Sequence, residues 1–166
     1  MLAGNVFALI ILLALPYTRI RMELLFTYDD VSYVNSVNSR EEIWQSSLEV
    51  AKEHLLFGTG SGDAEEELVA AYKTNGFIKG VQERYNAHNQ YLQVLVETGI
   101  VGLIFFTGFL CLCIRLAIRS KNYLYLGFLL LFMVNIFTES MLMSQSGVVF
   151  FVFFNTLLGL NSEPKV

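Results

Sequence analysis

The chain has 166 residues, of which 54% are hydrophobic and only 16% charged, with 14 phenylalanines. That is too apolar for an ordinary soluble domain of this length and points to a membrane protein. A net charge of −4 excludes a nucleic-acid partner, which requires a basic face.

Residues 2–15 are apolar apart from Gly4 and Asn5 and end at Pro16. Fourteen helical residues span about 21 Å, short of a hydrocarbon core of roughly 30 Å. No basic stretch precedes the run, so a cleaved signal peptide is disfavoured and a shortened membrane helix is expected over residues 1–21. An extramembrane region follows, over residues 22–98. Twelve of the fifteen acids lie between Glu23 and Glu83. Ser39-Arg40-Glu41-Glu42 reads as a capping box, with Trp44, Leu48, Ala51 and Leu55 then recurring at helical spacing. Asp63 and Glu66 repeat the box ahead of Leu68, Ala71 and Tyr72, and Asn75-Gly76 ends that second helix. Between the two helices, Gly58-Thr59-Gly60-Ser61-Gly62 lacks the Gly-Lys-Ser/Thr ending of a P-loop and follows a helix, so a nucleotide cradle is excluded.

A histidine then sits among amides in Asn86-Ala87-His88-Asn89-Gln90-Tyr91-Leu92-Gln93. Asn86 is placed to cap the next helix. On that helix Leu92, Leu95, Val96 and Ile100 share one face, while Asn89, Gln93 and Glu97 recur on another. Two faces of opposite polarity suit a helix at the bilayer surface. Residues 99–166 form the membrane part. Residues 100–118 carry no charge before Arg115, and nineteen helical residues reach about 28 Å, enough to cross. Arg115, Arg119 and Lys121 crowd the next link, which the positive-inside rule makes cytoplasmic, leaving His88 on the outer face. Arg19 and Arg21 fall on that outer side against the rule. Upstream spans that override it are the preferred explanation, and an anionic ligand the other. Residues 123–160 carry one charge, Glu139, and are too long for one span, so a hairpin turning near Ser144-Gln145-Ser146-Gly147 is expected, with a short second arm from Val148 and a cytoplasmic tail. Cys111 and Cys113 point about 200° apart on a helix and are packing residues.

The fold class read here is an all-α integral membrane protein, with about three to four transmembrane helices and a large helical extracytoplasmic loop. Two histidines 34 residues apart and no Asp-x-Asp pattern provide no metal site. His88 is the leading reactive group: an imidazole titrates near neutrality and can take a proton from an attacking hydroxyl. An inert, hydrogen-bonded residue at a helix start is the competing reading. Arg40 offers a guanidinium fork suited to phosphate oxygens, Arg84 is its fallback four residues before His88, and Asn89 is a further polar contact for a ligand. Glu139 is costly at membrane depth, so it faces a watery cavity or a partner, or bonds Thr138, Ser140 or a neighbouring helix.

His88-Asn89-Gln90-Tyr91-Leu92 followed by Glu97-Thr98-Gly99-Ile100-Val101-Gly102-Leu103 resembles the signature of the O-antigen ligase and polymerase superfamily of bacterial envelope proteins. Arg40, Trp44 and Leu56-Phe57-Gly58-Thr59-Gly60-Ser61-Gly62 resemble its loop pattern, and Thr138-Glu139-Ser140 its late membrane helix. Proteins of that family are much longer, so the chain resembles a carboxy-terminal portion. The resemblance implies a cofactor-free, metal-independent glycosyltransferase of the bacterial inner membrane, working on the periplasmic face. Its donor would be a glycan on polyprenyl pyrophosphate and its acceptor a glycan or lipid-core hydroxyl. Membrane lipid and the remaining helices of a longer parent chain would be its other partners. His88 would handle the acceptor proton and Arg40 the departing pyrophosphate. Competing readings are a transporter or flippase fragment and an inactive truncated membrane scaffold.

Overall fold

The structure is a computed structural model that describes residues 35–160. The expected helix over residues 2–15, Arg19, Arg21 and the tail after Leu160 lie outside the described residues. The described residues are helical, in the order α1 (Asn35–Glu53), α2 (Ala64–Thr74), α3 (Ile78–Glu83), α4 (Gln90–Arg119), α5 (Tyr123–Thr138), a short 3-10 turn (Met141–Met143) and α6 (Gln145–Leu160). From Arg40 onward they belong to one compact unit.

The polar half is built on α1 and α2. The Ser39 capping box does not start a helix, because α1 already runs from Asn35 and carries Ser39 in its interior. The apolar stripe expected on α1 is also rotated. Leu48 and Leu55 are exposed, and the buried face is Ile43, Ser46, Ser47, Val50 and Ala51. The serines tolerate burial because each has a partner: Ser47 Oγ donates to the Ile43 carbonyl, and Ser46 Oγ accepts from Asn75 Nδ2. The same Asn75 amide donates to Glu49 Oε2, tying the end of α2 to α1. On α2, Leu68 and Tyr72 are buried as their spacing requires, while Asp63 holds the N-cap position without a side-chain hydrogen bond. Tyr72 Oη donates to the Tyr85 carbonyl, and burial raises its phenol pKa, so the ring stays neutral.

The apolar half is α4, α5 and α6. Leu110, Cys113, Ala117, Tyr125, Leu129, Phe132, Ile136 and Phe151 form its buried seam. Phe132 and Phe151 stack at 4.3 Å between ring centroids. Outward-facing positions are apolar as well, with Phe105 at 76% and Leu131 at 68% exposure. Among the described residues one helix, α4, is long and apolar enough to cross a membrane, and α5 and α6 are shorter apolar helices. The hairpin turns earlier than Ser144-Gly147: α5 stops at Thr138, and Glu139 is its extended C-cap residue outside the helix. The second arm starts at Gln145 rather than Val148.

The two halves are joined at a break in α4. Gly99 has φ 66° and ψ −166°, which no helix accommodates. Backbone groups stranded there are taken up by the loop after α1. Thr59 N–H donates to the Val96 carbonyl (2.8 Å) and Gly60 N–H to that of Glu97 (2.9 Å), while Ile100 N–H donates to the Leu55 carbonyl (2.8 Å). Contact is so close that only glycines fit. A Cβ on Gly58 would lie 2.4 Å from the Glu97 carbonyl carbon, and one on Gly99 2.4 Å from Leu56 backbone. Both also have positive φ.

Gly99→Ala therefore adds a backbone overlap to a left-handed strain and is expected to destabilise the protein by at least about 2 kcal/mol. Gly108→Ala, whose Cβ meets nothing within 4 Å, is expected to be neutral or to gain up to about 1 kcal/mol. Thermal unfolding of the purified protein, with the two variants side by side, checks the contrast.

Candidate functional site

Three backbone N–H groups in a row are claimed by side-chain oxygens around His88. Ala87 N–H donates to Gln93 Oε1 (2.9 Å), His88 N–H to Asn86 Oδ1 (2.9 Å), and Asn89 N–H to Ser140 Oγ (3.2 Å). His88 is held in the left-handed region by this arrangement, at φ 43°. For a residue with a Cβ that conformation costs about 1–2 kcal/mol. Asn89, not Asn86, is the N-cap of α4: its Oδ1 accepts from Tyr91 N–H and Leu92 N–H. Of the polar face expected on this helix, Asn89 and Gln93 are buried and Glu97 is half-buried, and Gln90 is buried beside them. Burial is possible because every one of them has a defined partner, Gln93 Nε2 donating to Glu97 Oε1 and Gln90 Oε1 accepting from Leu142 N–H.

Those contacts set the segment after α5 alongside the His88 turn, residue by residue. His88 meets Glu139, Asn89 meets Ser140, and Gln90 meets Leu142. Glu139 Oε2 lies 3.0 Å from His88 Nδ1, and its Oε1 lies 3.9 Å from an Arg40 guanidinium nitrogen. Arg40 reaches this carboxylate from the second turn of α1, and Trp44, one turn on, packs edge-on against Phe137 of α5. The Trp44 Nε1–H is buried and has no hydrogen-bond partner among the described residues. His88 is backed by an aromatic ladder: Tyr85 edge-on at 5.5 Å between centroids, then Phe77 and Tyr72. Side-chain exposure is 28% for His88, 46% for Arg40 and 52% for Glu139, so all three functional groups open to a ligand.

Arg84 is not part of this cluster. It ends α3 in a left-handed conformation and pairs with Glu65 of α2, which raises the guanidinium pKa further. A cavity of about 330 Å³ opens beside it, lined by Ser61, Glu65, Arg84, Asn86, Gln93 and Glu97 among others. Asn89 Oδ1 is taken up by the cap of α4. Among the described residues no group of three or more His, Cys, Asp or Glu side chains could hold a metal ion. Sequence reading missed the roles of Gln90, Gln93 and Ser140. The available signal was the density of amides, with Asn86, Asn89, Gln90 and Gln93 packed into eight residues.

Residues 1–107 match the family model described as O-antigen ligase. The chain belongs to the O-antigen ligase family. The match covers more than half of the chain and takes in Arg40, the Gly58 loop, His88 and Gly99, and it ends before Glu139. A protein of Haemophilus influenzae described as uncharacterized is 33% identical over 82 residues, covering 46% of this chain. The chain spans about a fifth, 21%, of the length of that relative.

Asn89→Ala removes the oxygen that accepts from two α4 amides and is expected to lower stability by about 0.5–2 kcal/mol. Asn89→Asp keeps that oxygen at a helix N-terminus and should retain most of it. Denaturant or thermal melts of the two variants, read against the parent, check the cap.

Proposed function

We propose that the protein is a membrane glycosyltransferase of the ligase or polymerase type. It moves a glycan from a polyprenyl-pyrophosphate donor to an acceptor hydroxyl in the assembly of O-antigen or a related surface polysaccharide. Membership of the O-antigen ligase family supports the class. The single observation that carries the reading is that Arg40 and His88, 48 residues apart in the chain, meet on one carboxylate. A base beside a phosphate-binding fork is what such a transfer needs when protein groups alone carry it. The acceptor oxygen forms its bond to the anomeric carbon as the bond from that carbon to pyrophosphate breaks. The acceptor proton passes to His88, and the bonding pair leaves with the pyrophosphate, whose charge Arg40 meets in bidentate fashion.

The surroundings suit a lipid-borne donor. After the break at Gly99, Ile100–Arg119 is about 30 Å of apolar helix, and its exposed apolar face requires a non-aqueous neighbour. Arg115, Arg119 and Lys121 at its far end favour a cytoplasmic location there, with His88 periplasmic, in a multi-pass protein of the inner membrane. The α5–α6 hairpin, with arms of about 24 Å, would complete the membrane part within the longer protein. A transporter needs polar groups lining a path through the spans, and Glu139 sits at a helix end instead.

In the full-length protein reconstituted with lipid-linked donor and acceptor, His88→Ala should lose about 10²–10⁴ in turnover while still binding donor. Arg40→Lys keeps the charge but not the fork, so donor binding should weaken together with transfer. Near-normal transfer by His88→Ala would sink the assignment.

Orientation is tested separately by single cysteines at Lys73 and Ser120, in a background lacking Cys111 and Cys113. An impermeant thiol reagent applied to cells with a permeabilised outer membrane should label Lys73→Cys and leave Ser120→Cys unmodified. The reverse pattern would overturn the topology.

A further inference from the structure

We infer that the cavity beside Arg84 is a sugar subsite, which takes an uncharged ring of a glycan and sets it relative to the His88 turn. The inference rests on the glycosyl-transfer reading above and adds a place for the sugar itself, apart from the residues that handle proton and pyrophosphate.

The cavity is built from parts far apart in the chain. The loop after α1, the first turns of α2, the end of α3, α4 and the 3-10 turn all contribute to its wall. At about 330 Å³ it stands at the small end of ligand pockets, which run from about 300 to 1,000 Å³, so it suits a sugar unit and not a polyprenyl chain. Ser61 is exposed at its edge, whereas Leu68 and Gln93 are buried in its wall. That wall is held by hydrogen bonds of its own. Thr59 and Gly60 amides fasten the loop to the Val96 and Glu97 carbonyls, and the Gln93 amide is engaged at both ends, by Ala87 and by Glu97.

The lining decides the class of ligand. Arg84 is already paired with Glu65, so the charge in excess is the Glu97 carboxylate. One of its oxygens accepts from Gln93 Nε2, and the other has no partner among the described residues. A phosphate or a uronate would meet that carboxylate as a like charge, so anions are disfavoured here and pyrophosphate is left to Arg40. Ser61 Oγ and Asn86 Nδ2 add a hydroxyl and an amide donor, also without partners among the described residues. Donors and acceptors side by side suit sugar hydroxyls, each of which can both give and take a hydrogen bond. Leu68 and Met143 supply apolar surface for the C–H face of a ring.

Two lining side chains also belong to the frame of the His88 turn. Asn86 Oδ1 accepts from His88 N–H, and Gln93 Oε1 from Ala87 N–H. A ring bonded to Asn86 Nδ2 is therefore tied to the side chain that holds the His88 backbone. The glycan is set relative to the imidazole without either His88 or Arg40 having to bind it.

The test uses the full-length protein in lipid and three probes, each presented alone so that no transfer takes place. They are polyprenyl pyrophosphate bearing a neutral hexose oligosaccharide, bare polyprenyl pyrophosphate, and a free neutral hexose oligosaccharide standing for the acceptor. Ser61→Trp fills the cavity from an exposed position, and Glu97→Gln removes the charge while keeping an oxygen for Gln93. Ser61→Trp should raise the dissociation constant of one sugar-bearing probe at least about tenfold, since the sugar's hydrogen bonds and packing are lost together. Binding of bare polyprenyl pyrophosphate should not change. Loss confined to the lipid-linked oligosaccharide assigns the cavity to the donor glycan, and loss confined to the free one assigns it to the acceptor. Glu97→Gln should weaken the same probe by about tenfold, the worth of one hydrogen bond to a charged group. Replacing the hexoses of that probe by uronic acids should weaken its binding to the parent, and Glu97→Gln should narrow the difference. If neither variant changes either sugar-bearing probe, or if bare polyprenyl pyrophosphate is weakened equally, the subsite is overturned. Equal binding of neutral and uronate forms by the parent overturns the ligand class. Should Ser61→Trp fail to fold, Glu97→Gln decides alone. An active His88→Ala would fell the transfer reading without touching these binding constants, so the two failures are distinguishable.

Discussion

The structure depends on a break in a helix and on what repairs it. A backbone that leaves the helical path at Gly99 strands carbonyls on one side and amides on the other, and buried backbone groups require partners. The loop Leu55–Gly60 supplies both kinds from a single short stretch. This arrangement ties the polar helices to the apolar ones by main-chain contacts that leave no room for a side chain at Gly58 or Gly99. It also fixes α4 two turns downstream of His88, so the turn that presents the imidazole starts from a fixed point.

A second constraint acts on the site itself. Amides near a histidine invite the thought of ligand contacts, yet here they hold backbone. Gln93 holds Ala87, Asn86 holds His88, Asn89 holds the first turn of α4, and Gln90 holds Leu142. Once these are spent, the groups in the cluster still open to a ligand are an imidazole, a guanidinium and a carboxylate. The proposed transfer would draw on this rigid frame of polar side chains around three partly exposed functional groups, since loosely held groups lose effective concentration quickly.

Much of this was legible in the sequence, and the failures have physical reasons. Two helices of the polar region, α1 and α2, and the long apolar run are legible from periodicity, the short α3 is not, and the family is legible from the His88 and Gly99 motifs. Cap positions were misplaced because Asn86, Asn89 and Ser39 are equally good caps in isolation, and only tertiary contacts choose among them. The α1 face was misjudged because Ser46 and Ser47 count as polar in any hydropathy pattern, although their hydroxyls are satisfied internally. Placing Asn89 and Gln93 toward water failed for the same reason. The hairpin turn was set too late because Glu139 interrupts an otherwise apolar stretch without any glycine or proline beside it. That lone charge was itself the hint that the chain leaves the helix there. What no pattern could supply was the pairing of residues 88, 89 and 90 with 139, 140 and 142, which is a long-range fact.

The left-handed backbone at His88 carries one more consequence. Glycine occupies that region without strain, whereas any residue with a Cβ does so at a cost. Considered for folding alone, position 88 would be better filled by glycine, which has no Cβ to strain. If the proposed transfer runs through His88, the polypeptide gives up some stability to keep an imidazole at this point, and a glycine there would fold better and transfer worse. Stability and usefulness pull in opposite directions at this residue, which makes it a poor target for thermostabilisation by consensus or by melting temperature alone.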